Sequence, residues 1–187
     1  VSASEYRPHK RLKDSIELIN SLSKSFPNIK LHVLGEPNYF VKKELEFLSL
    51  KNCIFYGRLD QKSLPEFYGK QDFQLSLSMF DACPNVVVEG LASGLPVITC
   101  EESGAFELIN KNKSWSVADG IKLDYYEYHR ANQIPKADLK SYCEKIMPLI
   151  ENLREEKQIA RNIAEENLSI DLVSKKYLQF IESQNRA

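Results

Sequence analysis

A chain of 187 residues, 43% hydrophobic and 27% charged, is long enough for one well-filled core and has the composition of a globular protein. Its 25 basic and 26 acidic residues leave a net charge of −1 with no basic block, which argues against a nucleic-acid partner. Cys53, Cys83, Cys100 and Cys143 are scattered, without a Cys-x-x-Cys pair, and there are three histidines, so free thiols in a reducing compartment are favoured over a zinc site. No apolar run reaches the ~18 residues of a membrane span, and no signal peptide is visible.

In chain order, Leu12, Ile16, Ile19, Leu22 and Phe26 recur at helical spacing and predict a helix over residues 10–26. Residues 29–34 alternate as a strand that stops at Gly35. Val41, Leu45 and Leu48 predict a second helix, residues 53–56 a short strand ending at Gly57, and residues 63–70 a short helix. Residues 73–78 alternate again as a strand. Residues 86–92 are ambiguous, because three adjacent valines favour a strand by propensity. Residues 96–100 read as a buried strand and residues 105–110 as a short helix. The order predicts α/β architecture: a doubly wound, Rossmann-like parallel sheet. Residues 110–136 are expected to be irregular, and residues 137–187 to form terminal helices, the first kinked at Pro148. His32 lies in an apolar strand and is expected in the core. The chain starts close to a first strand, so it is expected to be a piece of a longer protein, one domain over residues 1–187 with its core in residues 1–109.

The most informative stretch is SMFDACPNVVVEGLASGLPVIT, residues 78–99. Two carboxylates, Asp81 and Glu89, stand seven intervening residues apart. Pro84 suits a helix start, whose free N–H groups favour an anion such as a diphosphate. Glu89, among Val86, Val87, Val88 and Leu91, needs a hydrogen-bond partner or a ligand.

Ser78-x-x-Asp81, Glu89 and Ala92-Ser93-Gly94-Leu95-Pro96-Val97 resemble the signature of the group 1, or family four, GT-B retaining glycosyltransferases, with aspartate where that family usually has its first glutamate. The resemblance implies a helix over residues 86–92 and the C-terminal, donor-binding half of a two-domain enzyme, the N-terminal acceptor domain being absent. It implies Asp81 near the transferred sugar and Glu89 on the ribose hydroxyls. Cys83, Pro84, Asn85 and Val86 match the loop that meets the diphosphate, where Asn85 and Val86 must supply the N–H groups because Pro84 has none. Arg7 and Lys10 match a cation pair that neutralises the leaving diphosphate, with Arg11 and Lys13 as competitors for the role. Gly57 and Arg58 match the nucleobase loop, Gly35 borders the same rim, and Ser103-Gly104-Ala105 resembles a further sugar- or ribose-facing loop. The implied donor is a nucleoside diphosphate sugar, with no metal or other cofactor. The implied partners are the missing domain and an acceptor glycan or glycolipid, in bacterial glycan synthesis, and the implied place is the cytoplasm or the inner membrane face. Two alternatives stay open: a non-catalytic binding or scaffold subunit, and another GT-B enzyme such as a sugar-nucleotide epimerase.

Overall fold

The computed structural model describes residues 2–3, 8–120 and 135–184. Arg7, with the rest of residues 4–7, and the stretch 121–134 lie outside the described residues.

Strands and helices alternate. β1 (Ser2–Ala3) leads through a 3-10 turn, Pro8–Lys10, into α1 (Leu12–Leu22). β2 (Leu31–Leu34), α2 (Tyr39–Leu45), β3 (Cys53–Gly57), α3 (Leu64–Gly69) and β4 (Gln74–Ser76) follow. Then come α4 (Asn85–Ala92), β5 (Val97–Cys100), α5 (Ala105–Leu108) and β6 (Ser116–Val117). Three further helices, α6 (Leu139–Glu151), α7 (Leu153–Ile163) and α8 (Ile170–Gln184), close the chain, with a π turn at Ala164–Leu168 before α8.

Every strand pairs in parallel, β1-β2-β3 in one ladder and β4-β5-β6 in another. β1 also lies beside β4. The ladders therefore abut in the order 3-2-1-4-5-6, with the switch point of a doubly wound sheet between β1 and β4. Parallel strands with helices on both faces read as apolar runs, and β5 is buried at all four positions. One main core joins α1, β2, β4, α4, β5, β6, α6 and α7; a smaller one gathers Leu34, Tyr68 and Leu95.

The helix over residues 85–92 settles the ambiguity of the valine run. Only Val87 of the three is fully buried, while Gly90 and Leu91 continue the inward face. Gly90 is required by close approach: a Cβ there would lie 1.9 Å from Gln74 Oε1. The same Gln74 side chain donates to the Val86 carbonyl at 3.0 Å, which seats α4 on β4.

Three details differ from the sequence expectations. β6 lies inside the segment expected to be irregular, and its two residues are too few to show a period. α6 continues through Pro148 to Glu151 and α7 begins after Asn152, so the chain breaks one turn beyond the proline. His32 is half-buried, stacked on Tyr56 at 5.5 Å and hydrogen-bonded to its hydroxyl at 2.9 Å, because β3 is an edge strand that leaves this face open.

Candidate active site

The loops after β1, β4 and β5 converge at the switch point. After β1 the 3-10 turn ends at Lys10, and Arg11 takes a left-handed conformation (φ 53°) that swings the chain into α1. A non-glycine residue pays roughly 1–2 kcal/mol for that geometry. Arg11 is held there by burial and by partners: it is 2% exposed, its guanidinium donates to Asp119 Oδ2 at 2.5 Å and to the Pro135 carbonyl at 2.9 Å. Asp119 also accepts from the Tyr142 hydroxyl and the Asp138 N–H. Arg11 is thus a structural clamp, and of the two neighbouring cations Lys10 is the one presented to the crevice.

The loop after β4 is tied to that turn by Met79 N–H, which donates to the His9 carbonyl at 3.2 Å. Two residues on, Asp81 forms an ion pair with Lys10, both side chains about one-fifth exposed. The loop after β5 comes up from the other side. Gly104 N–H donates to the Asp81 carbonyl at 2.8 Å, and a Cβ on Gly104 would stand 2.0 Å from the Ala82 carbonyl oxygen. Glycine at 104 is what allows the Asp81 backbone to sit where its side chain reaches Lys10.

α4 starts beside this pair. Pro84 is the N-cap residue (φ −71°, ψ 106°), one position earlier than the first-turn place expected for it. No side chain caps the helix. Among the described residues the N–H groups of Asn85 and Val86 make no backbone hydrogen bond. Such orphan donors, with the positive end of the helix dipole, attract anions. Cys83 and Asn85 are exposed, Val86 half-buried and Pro84 buried. One turn on, half-buried Glu89 accepts from the Tyr68 hydroxyl at 3.1 Å.

Gly35 and Gly57 end β2 and β3 with positive φ (97° and 66°) and meet each other, Gly35 N–H donating to the Gly57 carbonyl at 2.6 Å. They form a second part of the same rim; Arg58 beside them is exposed. The structure therefore brings together Lys10, Asp81 and the start of α4, and places the Gly35–Gly57 pair separately at the C-terminal ends of neighbouring strands. Ser78 Oγ, two residues beyond β4, is buried with no hydrogen-bond partner.

Cys100, Glu102 and Asp119 hold a thiol and two carboxylates within 4.8 Å of one another. Both carboxylates are already engaged within the protein. Burial pushes the Cys100 thiol up to about 12. Asp119 is engaged by Arg11, and Glu102 accepts from the N–H groups of Asp119 and Gly120. Burial likewise raises Asp14, which accepts from Ala137 N–H and lies 3.8 Å from the Arg11 guanidinium.

Sequence reasoning missed Tyr68 and the Arg11–Asp119 clamp. A tyrosine one turn into a short helix carries no sign of its burial, and the clamp joins residues 108 apart. The tight fit at Gly104 was legible only as a glycine near a helix start.

This arrangement is that of one half of a GT-B glycosyltransferase. The family described as "Glycosyl transferases group 1" matches residues 1–166, and the chain belongs to it. A sulfoquinovosyl transferase, SQD2, of Arabidopsis thaliana is 27% identical over 103 residues, 54% of this chain and 20% of its own length. Among solved structures, WaaG, a glycosyltransferase of lipopolysaccharide biosynthesis, superposes with TM-score 0.70 at 21% identity, over 94% of this chain and 44% of WaaG. The pneumococcal O-GlcNAc transferase GtfA, in complex with UDP and GlcNAc, gives 0.69 at 16% identity over 97% of this chain and 35% of GtfA. HepE of Anabaena, in complex with UDP-glucose, gives 0.65 at 18% identity over 97% and 48%. The chain spans less than half the length of each of these proteins.

Proposed function

We propose that this chain holds the donor for sugar transfer from a nucleoside diphosphate sugar, with retention of anomeric configuration. The observation that carries the reading is the meeting of Lys10 and Asp81 at the switch point beside the start of α4. When a diphosphate enters, Lys10 exchanges the Asp81 carboxylate for phosphate oxygens, a charge-assisted contact. The Asn85 and Val86 N–H groups add donors at the same end, and Arg7 adds a second cation. Asp81, released from Lys10, faces the transferred sugar. Glu89 takes the ribose hydroxyls, and the backbone at Gly57 and Arg58 borders the nucleobase, with Gly35 behind it. Lys10 and Arg7 stabilise the leaving diphosphate, the task a metal performs elsewhere, so no metal enters the reading.

In the whole protein a second domain supplies the acceptor wall. α8 supports this: none of its residues is buried, and Tyr177, Leu178, Phe180 and Ile181 are exposed on it. By itself the chain binds donor but does not transfer sugar, because reacting groups must be held together. The acceptor class is a bacterial glycan or glycolipid, used at the cytoplasmic side. One observation favours a second reading, a scaffold subunit without turnover: the first carboxylate is an aspartate, one methylene short, and already engaged by Lys10.

A melting-temperature panel tests the first reading. The diphosphates of uridine, adenosine and guanosine and their sugar conjugates at millimolar concentration are expected to include one that stabilises the chain, with or without a chelator. Uridine comes first, since GtfA was solved with UDP and HepE with UDP-glucose. A flat panel contradicts the reading. Donor consumption by the whole protein, absent despite binding, would favour the scaffold.

A further inference from the structure

We infer that Tyr68 is a positioning residue for Glu89: its hydroxyl fixes one oxygen of the carboxylate and aims the other at the ribose. The inference rests on the ribose role proposed for Glu89. Tyr68 is 1% exposed, and its ring belongs to the small core with Leu34 and Leu95, against which Phe67 and Val86 also pack. The ring is therefore fixed by packing, and its hydroxyl reaches Glu89 Oε2 at 3.1 Å. A buried tyrosine hydroxyl needs a partner, and here the partner is the proposed ligand-binding carboxylate.

A carboxylate offers two oxygens and about four lone-pair sites. The Tyr68 hydroxyl occupies one site on Oε2. Among the described residues Oε1 takes no hydrogen bond. A glutamate otherwise loses rotamer freedom when a ligand orders it. Tyr68 orders it beforehand, which favours a ligand with hydroxyls at one fixed place. Tyr68 stands on α3, the connection between β3 and β4, and Glu89 stands on α4, the next helix in the chain. A contact between α3 and α4 thus fixes one oxygen of the Glu89 carboxylate.

The experiment measures affinity of the 187-residue chain for uridine, adenosine and guanosine diphosphates, each beside its 2′,3′-dideoxy form. The native chain is expected to prefer a ribose form at least about tenfold, the scale of a hydrogen bond to a charged group. Tyr68→Phe is expected to cut that preference by about fivefold while leaving affinity for the dideoxy form within about twofold. 4-Aminophenylalanine at 68 restores a donor and is expected to restore the preference. 4-Fluorophenylalanine fills the hydroxyl's volume without donating, is expected to behave like phenylalanine, and serves if Tyr68→Phe fails to fold. Full ribose preference without the hydroxyl overturns the inference and leaves the role of Glu89 standing. Equal losses for both forms make Tyr68 a packing residue and also overturn it. A native chain that ignores the ribose overturns the Glu89 reading and this inference with it.

Discussion

Arg11 is the residue whose neighbours ask most of it. Its left-handed backbone, its buried guanidinium and the fully buried Asp119 carboxylate form one unit directly beside Lys10. Removing one partner of a buried pair leaves the other charge uncompensated, which costs about 3–5 kcal/mol. Arg11→Met is therefore expected to lower unfolding free energy by about that amount in urea titrations. A loss below about 1 kcal/mol would mean that water or another cation satisfies Asp119. Gly104→Ala acts on the other side of the pair. Its Cβ would collide with the backbone at Ala82, which cannot swing away as a side chain would. The loop carrying Asp81 must shift, and diphosphate affinity is expected to fall by about tenfold or more while the fold survives; unchanged affinity in calorimetry would show that the loop has slack. At this scale Asp81 and Glu89 could be picked out as candidates because they sit at fixed spacing in a motif, and Lys10 because it follows the first strand. Arg11 could not be read as a buried clamp, since a lysine–arginine pair at a helix start looks like two solvated charges until the fold buries one.

α4 shows how far an element can be read. By propensity its valines belong in a strand, and the resemblance to known glycosyltransferases favoured a helix; the deciding physical facts are Gly90 and Gln74, which fit the helix against β4. Long elements such as α1, α6 and α7 were legible from their periodic apolar residues. β1 and β6, two residues each, are made by their neighbours' ladders and leave no periodic trace. α2 is short and depends on its cap, Asn38, which accepts from Val41 N–H at 3.0 Å. Asn38→Ala is expected to cost about 1 kcal/mol by denaturant unfolding, the usual worth of such a cap. A neutral substitution would mean that packing of Val41 and Leu45 alone holds the helix.

For the whole molecule, two parallel ladders meet between β1 and β4, and the C-terminal ends of the strands carry every residue of the proposed donor site described here. The opposite end offers a rival. A cavity of about 200 Å³ lies where β2 and β4 begin, lined by Asn28, Lys30, His32, Gln71 and Phe73 among others. The alternation of strands and helices made the sheet legible in sequence, and with it the end at which open α/β sheets generally bind ligands. The exposure of Tyr177, Leu178, Phe180 and Ile181 on α8 was not legible, because apolar residues at helical spacing read as a packed face. Amide chemical-shift mapping with uridine, adenosine and guanosine diphosphates separates the two ends most directly. The amides of Lys10, Asp81, Asn85, Val86 and Gly104 are expected to shift together in a saturable titration, with residues 28–30 and 71–73 unmoved. Shifts confined to residues 28–30 and 71–73, or none with any of the three nucleotides, would contradict the proposed donor site.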